Sequence, residues 1–295
     1  MKPYLAVAAI CIIWGTTYLG IRIAVKDFPP FLFSGLRFIL AGGLITSYYL
    51  LKGYSWPSKK DFGSLMISGL CICLGGNLLL VIAEKSIPSG LAALINCGLP
   101  LWIVIISKTI HKAERISLTT LTGIAIGFLG QLLIFYDQLK YLVAPAYLKG
   151  IIFSLFGVLF ASYGSVFMKK HSVKSNPIFS GGVQMLCCGA IIVAIGLIKG
   201  EAGYMMNVST ISWQVFAYLT IFGSIIGYSS FCYALSKLPA TLVSVYTYIN
   251  PIVALWLGWL VLNERITPLM ILAMVITISG VYIVKEGIQK VENIS

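Results

Sequence analysis

One spacing pattern occurs twice in this chain, and it limits the fold more than any other feature. Pro88 is followed twelve residues later by Pro100, then by Glu114 and, sixteen residues on, by Gly130. Pro239 is followed twelve residues later by Pro251, then by Glu264 and, sixteen residues on, by Gly280. Both segments run through apolar sequence. A duplicated unit with an odd number of membrane crossings inserts its second copy upside down, which is the architecture of alternating-access carriers.

The crossings follow from composition. Of 295 residues, 59% are hydrophobic and 10% are charged, too little polar character to cover a soluble protein. A helical crossing takes about 20 apolar residues. Ten such runs are legible, near 4–25, 31–51, 62–83, 88–107, 117–136, 147–168, 177–198, 213–235, 239–262 and 268–285. The expected fold is therefore an all-α integral membrane protein. Its ten transmembrane helices form two inverted five-helix repeats, residues 1–140 and 141–295. Weaker echoes agree: Pro30 to Arg37 overlays Pro177 to Gln184, and Trp14 falls near Phe160.

Orientation comes from the basic residues. With the N-terminus inside, 13 Lys and Arg fall on the inner side and 6 on the outer, with Arg22 and Arg37 inside spans. That bias predicts a multi-pass protein of the plasma (inner) membrane with both termini cytoplasmic. The net charge of +12 then reads as a topology signal and not as a nucleic-acid footprint. Lys2 and the apolar run after it read as an uncleaved first span. The seven cysteines all lie in apolar runs, without metal-ligand spacing.

Trp14-Gly-Thr-Thr-Tyr18, Gly35-Leu-Arg-Phe38, Ala83-Glu-Lys-Ser-Ile-Pro-Ser-Gly90 and Asn250-Pro-Ile-Val with Asn263-Glu264 occur in order along the chain. In that order and spacing the sequence resembles the EamA-type branch of the drug/metabolite transporter superfamily, over essentially its whole length. The resemblance implies a ten-helix fold with a central substrate chamber between the repeats. It also implies export or exchange of small metabolites, and no particular one.

Polar groups in hydrocarbon cost free energy unless they are paired or line water. Asn77, Asn96 and Asn250 lie about 10, 12 and 16 Å inside their span ends at the helical rise. At that depth they either line a cargo site or glue helices together. Trp14 and Tyr18 share a helix face with Arg22, and Tyr246 shares one with Asn250. Tyr163, Gln184 and Tyr228 complete the chamber candidates; the competing reading of the aromatics is packing or interface anchoring. Arg22, Arg37, Glu84 and Glu264 lie toward the outer side, with Glu84 expected to neutralise Arg37 or Arg22 as a gate or as a static pair. Pro100 and Pro251 are expected to kink their helices and free carbonyls near 96–97 and 247–248. Gly123-x-x-x-Gly127 and Gly223-x-x-x-Gly227 are close-packing motifs, for helices within the chain or at a homodimer seam.

An intramembrane enzyme is the rival class. His111 and His171 are the only histidines, both beside lysines in inner loops, and no nucleophile, zinc or phosphate-loop motif occurs. The reading assigns no catalytic residue, metal or cofactor. It favours a carrier, monomeric or dimeric, exporting an amino acid or similar amphipathic compound, drugs included. An import permease or an exchanger for another metabolite class is the alternative. Every Asp and Glu falls at a span end or in a loop, so any coupling to protons would fall to Glu84.

Overall fold

The computed structural model describes residues 2–111, 116–262 and 266–292. Ten helices follow one another. They are α1 (Pro3–Ala24), α2 (Pro30–Leu51), α3 (Lys59–Glu84), α4 (Ser89–Thr109), α5 (Leu118–Ile134), α6 (Leu148–Lys170) and α7 (Pro177–Ile198). Then come α8 (Thr210–Lys237), α9 (Ala240–Val243, resumed as Tyr246–Leu262) and α10 (Pro268–Glu292). Nine of these, all but α5, are long and apolar enough to cross a membrane. The tenth, α5, has 17 residues and then turns by 86° into the short segment Tyr136–Val143. The chain is an all-α integral membrane protein of two inverted five-helix repeats. Of the repeated landmarks, Glu114 and Glu264 lie outside the described residues.

Local chemistry sets the helix ends. Ser58, Ser117 and Ser209 each accept from the backbone N–H three residues on, and Asn176 accepts from those of Ile178 and Phe179. Proline opens α1, α2 and α7, where the missing N–H costs nothing. Both α2 and α7 are followed by a glycine with positive φ, Gly53 at 85° and Gly200 at 76°. A side chain is strained in that conformation.

The symmetry extends to packing. Pro30 and Pro177, Gly35 and Gly182, Arg37 and Gln184, and Gly42 and Gly189 all lie 147 positions apart. These related helices, α2 and α7, pack against each other, as do α5 and α10, which are likewise counterparts. Lipid tails are as apolar as leucine, so close van der Waals approach must hold such pairs together. A Cβ on Gly42 would lie 2.6 Å from the Gly182 carbonyl oxygen, and one on Gly189 2.8 Å from the Gly35 oxygen. Across α5 and α10, a Cβ on Gly130 would meet Thr277 N at 2.8 Å, and one on Gly280 would meet Gly127 Cα at 2.6 Å. Both glycine motifs face partners in the same chain: Gly123 meets α10, Gly127 the Tyr248 ring, and Gly227 the Trp14 indole.

At the face away from the chain ends, each half caps a helix of the other. Glu201 accepts from the Leu32 N–H at 2.9 Å, at the start of α2. Asp27 accepts from the Ser209 N–H at 3.0 Å and from the Ser212 hydroxyl, at the start of α8. Anionic acceptors at helix N-termini satisfy free N–H groups and the helix dipole together. Partial burial pushes the Asp27 carboxyl up, but the hydrogen bonds from Ser212 and Ser209 outweigh it and leave it below its ordinary value.

Two predictions follow from these contacts. Gly42→Ala is expected to lower the unfolding temperature in detergent clearly, since overpacking costs about 1–3 kcal/mol. Gly43→Ala, whose Cβ would meet only Leu186 Cδ1 at 3.9 Å, is expected to leave it unchanged. For Asp27 the folded value is depressed, so its stabilisation is full above the unfolded value of about 3.9 and is lost as pH falls through the folded one. Wild type should therefore lose its stability margin over Asp27→Asn on acidification below about pH 4. A constant margin would show that Asp27 caps nothing.

Candidate functional site

Two helices depart from α geometry at matching places. α3 widens into π-helix over Leu70–Leu78, and its counterpart α8 does so over Leu219–Tyr228. π turns leave irregular backbone, and they recur at functional sites. Here both wide stretches face the same space. Ile72, Cys73, Gly76 and Asn77 from one, and Gly223, Ser224 and Tyr228 from the other, line a mid-depth chamber of about 110 Å³. The Trp14 Nε1–H donates to the Gly223 carbonyl at 3.0 Å, satisfying backbone in the widened stretch.

Seven of the nine residues expected in a chamber line this one: Trp14, Tyr18, Asn77, Asn96, Tyr228, Tyr246 and Asn250. Trp14 meets Tyr246 edge-on with ring centres 4.9 Å apart, and Phe231 at 5.5 Å. The asparagines also serve the protein. Asn96 donates to the Ala92 carbonyl at 3.1 Å. Asn250, with its amide nitrogen turned inward, donates to the carbonyls of Tyr246 and Cys11 at 2.9 and 3.0 Å. Two expected residues do not line the chamber. Tyr163 stacks on Phe167 with centroids 6.0 Å apart. Gln184, fully buried, accepts from the Tyr228 hydroxyl at 3.0 Å and donates to Ser68 Oγ at 2.7 Å.

The charged residues are arranged differently from the sequence reading. The sequence reading pairs Glu84 with Arg37 or Arg22 at the outer mouth; Arg37 lines the chamber instead, 3% exposed. Its Nη2 donates to Asn77 Oδ1 at 2.6 Å, and its guanidinium carbon lies 5.0 Å from the Phe38 ring centre and 5.5 Å from that of Phe33. The physical reason is reach: Asn77 sits in the widened turn facing α2, whereas Glu84 is at the far end of α3. Arg22 does meet Glu84, but through the main-chain carbonyl. Both carboxylate oxygens of Glu84 are buried without a hydrogen-bond partner, and so is Arg37 Nε. Glu264 lies outside the described residues. Arg37 is the one charged side chain among the described residues lining the chamber.

The helix breaks fall ahead of the prolines. α4 is interrupted at Cys97 and Gly98, just before Pro100. α9 is interrupted at 244–245, and Pro251 then sits inside the continuous helix Tyr246–Leu262. Pro251 is therefore not the site of the break: the short turn at 244–245 already redirects the chain. Carbonyls near 247–248 are taken by side chains, as hydrocarbon demands. Thr247 O accepts from Cys97 Sγ at 3.3 Å, and Tyr248 O accepts from Gln131 Nε2 at 3.0 Å. Gln131 also donates to Thr277 Oγ1 at 3.2 Å and accepts from Cys97 Sγ at 3.4 Å. Sequence reasoning missed this residue, although an amide in an apolar span beside Gly127 and Gly130 was the signal.

A profile described as the EamA-like transporter family matches residues 1–136 and again 148–285. The chain is 30% identical to the uncharacterized inner membrane transporter YedA of Escherichia coli over 284 residues, covering 96% of this chain and 90% of that one. It is 25% identical to the uncharacterized transporter YdfC of Bacillus subtilis, with 96% and 90% covered. It is 27% identical to a chloroplastic WAT1-related protein of Arabidopsis thaliana, with 92% of this chain and 66% of that one covered. A solved crystal structure superposes with a TM-score of 0.77 at 18% identity, over 97% of both chains, and so shares the fold.

Gln131 supplies a prediction on the chamber's frame. Gln131→Leu leaves the Tyr248 carbonyl and Thr277 hydroxyl without this donor, a loss of about 1–3 kcal/mol per stranded group. The expected result is a lower unfolding temperature in detergent, with Gln131→Glu at least as destabilising, because it turns a second acceptor toward the Tyr248 carbonyl and buries a carboxyl.

Proposed function

The chain belongs to the EamA-like transporter family, and we propose that it moves amphipathic metabolites bearing a carboxylate, amino acids first among them, out of the cell. That it is a membrane transporter rests on the family and on relatives named as transporters. The cargo class rests on one observation: an aromatic-walled chamber at mid-depth with a single buried arginine in its lining. Trp14, Tyr18 and Tyr246 suit an apolar body, since aromatic faces and hydroxyl tips serve both ends of an amphipathic solute. Arg37 suits the carboxylate. Guanidinium pairs with it in a charge-assisted fork, and Arg37 has a buried Nε with no partner of its own. Asn77 holds the guanidinium in place from the other side.

In this reading the halves 1–140 and 141–295 rock about the chamber, exposing it to one face at a time. The chain ends are cytoplasmic by the basic-residue bias, and the membrane is the plasma (inner) membrane, as the name of YedA suggests for that relative. Glu84 is the proposed proton site, because its carboxyl is buried, unpartnered and beside Arg22.

Flux of a radiolabelled amino-acid panel in proteoliposomes, with and without an imposed pH gradient, tests the reading. Arg37→Gln is expected to raise KM for the carboxylate cargo about 10- to 100-fold, the worth of a hydrogen bond to a charged group. The amide of the same amino acid should be unaffected. Glu84→Gln is expected to abolish gradient-driven accumulation while sparing exchange. Absence of flux for every amino acid sinks the cargo assignment, and equal KM shifts for acid and amide sink the role of Arg37.

A further inference from the structure

A second cavity, about 240 Å³, opens at the end of the bundle that carries the chain termini. Six serines line it, Ser64 and Ser68 from α3, Ser172 and Ser175 from the 171–176 loop, Ser180 from α7 and Ser236 from α8, with Lys169 and His171 at its rim. The Ser180 hydroxyl is 1% exposed and has no hydrogen-bond partner, so a polar guest would find a free group there.

One connected set of side chains runs between this cavity and the chamber. Tyr228 lines the chamber, and Ser68 lines the serine cavity. Between them sits Gln184, which lines neither; it accepts from Tyr228 Oη at 3.0 Å and donates to Ser68 Oγ at 2.7 Å. All three are buried, with Gln184 at 0%, Ser68 at 1% and Tyr228 at 4%. Glycines bring the backbones close to these side chains. A Cβ on Gly69 would press on Gln184 Cβ at 3.2 Å, and one on Gly181 would lie 3.4 Å from Tyr228 Cε1.

The repeat gives this wall a counterpart. Gln184 corresponds to Arg37 at 147 positions, and Tyr228 to Asn77 at 151, the offset that also relates Ser58 to Ser209 and Pro88 to Pro239. Arg37 and Asn77 are themselves hydrogen-bonded. Both pairs join the second helix of a repeat to the widened stretch of its third. Because the repeats are inverted, the pairs sit toward opposite ends of the chamber. A barrier that opens on one face at a time needs two such elements.

We propose that Ser68, Gln184 and Tyr228 form the gate closing the chamber toward the face of the chain ends, and that the serine-lined cavity is the vestibule beyond it. The proposal rests on the transport reading above. Opening requires Gln184 to leave Tyr228 and Ser68, two hydrogen bonds that side-chain rotation and vestibule water can replace.

Accessibility labelling tests it without a known cargo. Ala161→Cys places a thiol in the chamber lining, and an impermeant maleimide is applied to sealed vesicles of each orientation. Label at residue 161 is read by peptide mass spectrometry, which separates it from the native cysteines. From the chain-end face, Gln184→Ala is expected to speed labelling about five-fold or more, the population shift that one lost hydrogen bond allows. From the other face the rate should not rise. Ser68→Ala, which leaves the Gln184–Tyr228 bond intact, should act in the same direction more weakly. Ser172→Cys, exposed on the vestibule wall, should label from the chain-end face equally in all backgrounds. An unchanged rate in both gate variants, or an equal rise from both faces, overturns the gate. If residue 161 is labelled from neither face in any variant, the chamber is off the solute path and the transport reading itself fails.

Discussion

Everything in this bundle hangs on the close approach of symmetry-related helices through glycine. α2 lies on α7, and α5 on α10, with Gly42 against Gly182 and Gly127 against Gly280 at distances a side chain would not permit. In lipid, association brings no hydrophobic gain, so contact area between backbones has to stand in for it. Each pair joins one repeat to the other. The two halves are thereby tied at both sides of the bundle, and the helices between them, α1, α3, α4 and their counterparts, are left to surround a space.

That space stays open because two of its walls are irregular in the same way. The wide turns of α3 and α8 set Asn77 and Tyr228 facing inward and leave the Gly223 carbonyl for Trp14. Irregular backbone at membrane depth must be satisfied by protein or water, and here side chains do it. The same rule governs the interrupted α9, where Gln131 and Cys97 take the carbonyls of Tyr248 and Thr247. Polar residues in this protein thus work at two levels. Gln131 and Asn250 hold the frame. Arg37 with Asn77, and Gln184 with Tyr228, form related hydrogen-bonded pairs at the chamber.

Much of this was legible in the chain. Ten apolar runs and the repeated landmarks determined the helices, their number and the inverted duplication. Nine residues were legible as chamber candidates, and seven of them line one cavity. Their partners were not. Arg37 and Glu84 look like a pair on depth alone, yet side-chain reach joins Arg37 to Asn77 and leaves the Glu84 carboxyl alone.

What the sequence determined by itself is whatever depends on periodicity and on the cost of polar groups in hydrocarbon: the spans, their inverted duplication and the basic-residue bias. The tertiary structure alone decided which faces meet. The π-helical widening of α3 and α8 has no composition of its own, and it rotates every later residue of the helix to a new facing. Whether Gln184 lines a cavity or divides two is set by rotations of that size and by partners more than forty residues away. Local sequence carries no term for either.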